Sequence, residues 1–166
     1  MDSVLSFELR ARYNEDLNGF PLPSSLLYLT TGEAFNQTLN NTVLPSGLQY
    51  LTFGKYFNQN MDNVQLPDGL VSLTFGTCFN QSLLHMVFPS ALESLTFGRD
   101  FNQNLDSRIL PSDLESLGVG FNFHQRLNNT NLPSGLQTLR VSTLYPFTAN
   151  TILPSGLQNL KFGDHF

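Results

Sequence analysis

Side-chain amides are the recurring polar chemistry of this sequence. Asparagine returns at Asn14, Asn36, Asn58, Asn80 and Asn102, at intervals of 22 residues, and the last four stand in Phe-Asn-Gln triplets that begin at Phe35, Phe57, Phe79 and Phe101. A carboxamide both donates and accepts, so an asparagine repeated at one corner can bond backbone groups that turns leave unpaired. Each such group left buried and unpaired costs about 1–3 kcal/mol. The rival use of the same row is a polar ligand-binding surface.

Groups suited to covalent or metal chemistry are sparse. His85, His124 and His165 occupy different columns of the 22-residue frame and share no ligand geometry. His124 replaces the corner asparagine and can make the same kind of bond. Cys78 is the only cysteine, which excludes an intrachain disulfide and a cysteine-based zinc cluster. With no His or Asn partner at a meaningful spacing, it reads as a space-filling residue. Ser46 and Ser90 follow prolines and read as turn residues. There is no nucleophile elbow and no phosphate loop, and no polar constellation breaks the repeat as a pocket would. The sequence reads as a non-enzyme, with no catalytic residue, cofactor or metal ligand.

Charge narrows the partners further. Charged residues make up 13% of the chain, the net charge is −5, and the eight Lys and Arg are spread thinly. No basic stripe is available to neutralise phosphates or anionic lipid, so nucleic acid and membrane surfaces are poor partners. Met1 to Glu8 lacks the basic start and apolar run of a signal peptide, and no stretch approaches 18 apolar residues. The lone cysteine fits a reducing compartment, and the reading is cytoplasmic.

The elements that must position these residues follow from one period. Leu-Pro or Phe-Pro pairs begin at Leu22, Leu44, Leu66, Phe88, Leu110, Leu132 and Leu153, giving five intervals of 22 and one of 21. Leucine follows each proline at the third and sixth positions, as at Leu48 and Leu51 or Leu70 and Leu73. A further column holds Phe53, Phe75, Phe97, Val119, Val141 and Phe162, with Thr31 as its odd member. Glycine comes next, except at Ser142, and three residues later comes an aromatic that persists through Phe123, Tyr145 and Phe166. Leu39, Met61, Leu83, Leu105 and Leu127 complete the apolar set.

Leu-x-x-Leu-x-Phe reads as a short strand entered from a bend, and proline is tolerated where a strand begins. Glycine after the strand suits either a positive φ or a close backbone approach. Because every coil runs the same way, the strands must stack in parallel, each apolar residue meeting its own kind above and below. The expected fold is a repeat solenoid, mainly β, with one parallel sheet, one short strand per coil, and a convex side of turns and irregular or short helical structure. The expected organisation is a single domain over 1–166, with residues 1–21 as a degenerate capping coil that carries Glu8, Arg10 and Arg12. Coils then start at about 22, 44, 66, 88, 110, 132 and 153, the last incomplete.

The Phe-Asn-Gln core followed by Leu-Pro-x-Gly-Leu-x-x-Leu resembles the FNIP repeat, a relative of the leucine-rich repeat found in social amoebae and giant DNA viruses. The resemblance covers nearly the whole chain. It implies a leucine-rich-repeat-like solenoid, a protein-interaction role, no catalytic residues and, for a viral member, the host cytoplasm. In some members the repeats accompany an F-box or a kinase domain.

Recognition is expected on strand residues that alternate with the buried leucines. One outward column runs Tyr28, Tyr50, Ser72, Ser94, Ser116, Thr138 and Asn159; the other runs Thr30, Thr52, Thr74, Thr96, Gly118, Arg140 and Lys161. Tyr28 and Tyr50 in adjacent coils could anchor a partner, although aromatic pairs also simply suit strands. Glu93 beside Glu115 is a like-charge pair that hints at a basic partner, or is two solvated side chains. Glu33 and Lys55 should form a modest exposed pair. The candidate partner-binding set is Tyr28, Tyr50, Lys55, Glu93, Arg99, Glu115, Phe121 and Arg140. Two other functions fit the sequence: self-association through the C-terminal coil, and ice or surface binding by the threonine column.

Overall fold

The computed structural model describes residues 4–105, 110–127, 132–142, 147 and 151–163. His165, Tyr145, Pro146 and Phe166 lie outside the described residues. Eight strands form one parallel sheet in chain order: β1 (Ser6–Glu8), β2 (Tyr28–Thr30), β3 (Tyr50–Thr52), β4 (Ser72–Thr74), β5 (Ser94–Thr96), β6 (Ser116–Val119), β7 (Thr138–Val141) and β8 (Asn159–Phe162). The register carries each residue onto its repeat equivalent, so that Leu29 pairs with Leu51, Leu51 with Leu73, and Leu73 with Leu95.

The Leu-Pro signal makes the bend before each strand. The carbonyl of each proline accepts the N–H of the leucine three residues on, as in Leu26 to Pro23 (3.1 Å), Leu48 to Pro45 (3.0 Å) and Leu70 to Pro67 (3.0 Å). That closed turn delivers the first leucine inward. Leu26, Leu48, Leu70, Leu92, Leu114 and Leu136 are all fully buried, as is the central leucine of every strand from β2 to β7.

Aromatic rings fill the space behind the leucines. Phe35, Phe57, Phe79, Phe101 and Phe123 stack at centroid spacings of 6.1–6.2 Å, close to parallel. A second row, Phe53, Phe75 and Phe97, stacks at 5.4 Å and lies against the first at 3.8–3.9 Å within each coil. Thr31 takes the phenylalanine position one coil earlier. It is buried, and its hydroxyl accepts the Gly54 N–H at 2.9 Å.

The glycine after the strand is explained by crowding. A Cβ built on Gly54 would fall on the Gly32 carbonyl and lie 2.9 Å from the Glu33 Cα, and Gly76, Gly98 and Gly120 meet the coil before them in the same way. Of this column only Gly163 takes a positive φ, 77°, and a Cβ there would meet nothing within 4 Å. The convex side consists of turns and extended irregular segments, and among the described residues there is no α-helix. Among the described residues no helix is long and apolar enough to cross a membrane.

Candidate interaction surface

The amide row is wired from coil to coil. The backbone N–H of Asn36 donates to the Oδ1 of Asn14 (2.7 Å), Asn58 to Asn36 (2.8 Å), Asn80 to Asn58 (2.9 Å), Asn102 to Asn80 (2.9 Å) and His124 to Asn102 (2.9 Å). Each oxygen also accepts a glutamine amide from the next coil: Gln37 on Asn14 (3.2 Å), Gln59 on Asn36 (3.0 Å), Gln81 on Asn58 (3.0 Å), Gln103 on Asn80 (2.9 Å) and Gln125 on Asn102 (3.0 Å). The acceptors that a polar ligand would want are thereby occupied. Sequence reasoning placed the Phe-Asn-Gln columns among those that hold coils together but gave the glutamines no partners of their own, although they follow Asn36, Asn58, Asn80 and Asn102 and persist beside His124. His124 takes its place by its backbone, and its Nδ1 lies 2.6 Å from the carbonyl of Asn122 in its own coil. A carbonyl only accepts, so that nitrogen carries the proton.

The outward face is set by alternation along three- and four-residue strands. Tyr28 and Tyr50 are register partners whose rings stack at 4.5 Å with an interplanar angle of 8°, and Tyr28 is 44% exposed. Glu93 and Glu115 stand one residue before β5 and β6, both exposed, with the N–H of Glu115 donating to the Glu93 carbonyl at 2.9 Å. A single strand, β4, separates the tyrosines of β2 and β3 from this acidic pair, a gap of about 10 Å between β3 and β5.

The remaining candidates fall elsewhere. Lys55, Arg99 and Phe121 lie at the corner just past the strands, and two cation–aromatic contacts form there. Lys55 sets its ammonium over the Tyr56 ring, 4.9 Å from the centroid, and Arg99 sets its guanidinium over Phe121 at 5.8 Å. Tyr56 holds the Lys55 ammonium above the usual lysine range, and the charge of Glu33 in the coil before acts in the same direction more weakly. Tyr56, 49% exposed, is a surface aromatic that sequence reasoning missed. Its signal was a lone tyrosine in a column that also holds Arg12, Ala34, Cys78, Asp100, Asn122 and Leu144. Arg140 is exposed on β7, in register with Gly118 on one side and Lys161 on the other. Among the described residues no group of three or more His, Cys, Asp or Glu is placed to hold a metal ion.

The family model for the FNIP repeat matches residues 13–56, 57–100 and 101–143. The chain belongs to the FNIP repeat family. A solved structure, that of CroV588, described as a novel circular LRR protein structure, superimposes with a TM-score of 0.82 over 97% of this chain at 38% identity. The chain spans 24% of the length of that protein. No curated protein matches the chain. An LRR-like solenoid of this kind is generally a protein-interaction fold, because its extended regular face offers a broad surface on a rigid frame. In this FNIP solenoid the amides and phenylalanines join coil to coil.

Proposed function

We propose that this FNIP repeat protein is a non-catalytic interaction module of the cytoplasm that holds a protein partner on the outward face of its sheet. The observation that carries this reading is the stacked Tyr28–Tyr50 pair, partly exposed, beside the acidic Glu93–Glu115 pair. Tyrosine gives large contact area for little lost side-chain freedom, which is why it is enriched in binding hot spots. Two carboxylates in adjacent coils repel one another in the free protein, so a basic group on the partner is favoured twice. The partner this face fits is a protein segment with an apolar ring or aliphatic side chain next to Lys or Arg.

Affinity capture from expressing cells tests the reading, comparing wild type with a Tyr28→Ser/Tyr50→Ser/Glu93→Gln/Glu115→Gln variant. The proposal expects specific partners to be lost with the variant and kept by a control altered at Asp62 on the convex side. Identical partner sets for wild type and the quadruple variant would overturn the assigned face.

A further inference from the structure

We infer that Asn18 is a site of self-modification: in the folded chain it loses its side-chain amide through attack by the Gly19 nitrogen, leaving isoaspartate or aspartate in its place. The inference is independent of the outward-face reading and rests on the turn that holds these two residues.

That turn recurs from coil to coil. Its closing bond runs from the Phe20 N–H to the Leu17 carbonyl (3.0 Å), from Thr42 to Leu39 (3.0 Å), from Val64 to Met61 (3.1 Å) and from Met86 to Leu83 (3.1 Å). The first central N–H is held by a side chain two residues earlier: Asn18 by the Asp16 Oδ1 (2.8 Å), Asn40 by the Thr38 hydroxyl (3.3 Å), Asp62 by the Asn60 Oδ1 (2.7 Å) and Leu84 by the Ser82 hydroxyl (3.3 Å). The second central N–H, that of Gly19, Asn41, Asn63 or His85, donates to no other group among the described residues, and all four residues are exposed. Asn41, Asn63 and His85 belong to coils stacked on both sides. The open N–H is therefore a property of the turn and not of its place in the stack.

One of these four turns also has the sequence to react. Asn18 is the single asparagine followed by glycine. A Cβ on the following residue would restrict the backbone and screen the attacking nitrogen. Gly19 has none, takes a φ of 74°, and has no residue beyond its chain neighbours within 4 Å of where a Cβ would stand. Asn40 is followed by Asn41 and keeps the obstacle. Asp68 also precedes a glycine, but a carboxylate resists nucleophilic attack and has no ammonia to release.

The step balances with water alone and involves no oxidation or reduction. The Gly19 nitrogen gives its proton to hydroxide and bonds to the Asn18 Cγ, the Cγ–Nδ2 bond breaks, and ammonia leaves with a proton drawn from water. The cyclic imide that remains is opened by water: cleavage at Cγ–N gives aspartate, and cleavage at the backbone C–N gives isoaspartate. Either product sets a new carboxylate beside Glu15 and Asp16. Isoaspartate also runs the backbone through Cβ and Cγ, which lengthens a turn whose Phe20 lays its ring against Phe7 of β1 at 5.6 Å.

Peptide mapping by mass spectrometry tests this on the 166-residue chain kept folded in mildly alkaline buffer, beside a Gly19→Asn variant. Asn18 should exchange its amide NH2 for OH, with isoaspartate among the products, about tenfold or more faster than Asn40 in the same molecule. Conversion should quicken as pH rises, because the attacking nitrogen must lose its proton. The variant carries the Asn-Asn pair that the next coil already uses in this turn, and it should slow conversion at Asn18 by about tenfold or more. The comparison with Asn40 is internal to wild type and holds whether or not the variant folds. An Asn18 that stays intact in the folded chain, conversion at Asn40 as fast as at Asn18, or conversion undiminished in the variant would each overturn the inference.

Discussion

Asn58 shows how much a single side chain does in this solenoid. Its Oδ1 accepts both the Asn80 N–H and the Gln81 amide, two donors from the following coil. Asn58→Ala leaves both without that acceptor at a part-buried corner and should lower stability by about 1–3 kcal/mol. Asn58→Asp keeps an oxygen in place and should recover most of the loss, as read from urea unfolding midpoints. The asparagines were legible in the sequence because a polar residue fixed at one point of a period must satisfy the same need in every coil. The glutamines' partners were not, because a long amide side chain beside the asparagine does not reveal which coil it reaches. Gln125 shows the rule: it persists beside His124 because its partner is Asn102, one coil back. Thr31 was equally opaque. As an odd member of an apolar column it looked like a lapse, yet its hydroxyl serves the Gly54 N–H.

At the scale of the element, the strand and its flanking turns were readable because leucine spacing, proline and glycine all agree on one local structure. The reason for the glycine was not. Sequence allowed either a positive φ or a close approach, and only the stacking distance between coils decides for the second. Gly76 and Gly69 separate the two uses of glycine within one coil. A Cβ on Gly76 would fall on the Gly54 carbonyl, while one on Gly69 comes no nearer than 4.0 Å to the Ser46 carbonyl. Gly76→Ala should therefore cost about 1–3 kcal/mol through overpacking against backbone that cannot yield, while Gly69→Ala changes the thermal midpoint little. The cation–aromatic corner was also hidden. Lys55 meets a ring in its own coil and Arg99 a ring in the next, and the choice depends on how each long side chain lies across the turn.

For the whole molecule, a coil touches only its neighbours, so stability accumulates along the stack and the face that binds can vary without disturbing the frame. The parallel order of the strands was legible from the period. The outward columns were legible as positions, but the stacking of Tyr28 on Tyr50 required the register to be seen. The account divides the molecule into columns that hold coils together and columns left for recognition, and stability measured on both kinds of variant tests that division. Leu73 is fully buried, and Leu73→Ala should cost about 2–5 kcal/mol. The Tyr28→Ser/Tyr50→Ser/Glu93→Gln/Glu115→Gln variant gives up one stacked ring pair and relieves one repulsion, so its loss should not exceed about 1.5 kcal/mol. Equilibrium urea unfolding of the two proteins beside wild type is the most direct measurement. The account predicts that the quadruple outward variant stays the more stable of the two, and a quadruple variant as destabilised as Leu73→Ala would contradict it.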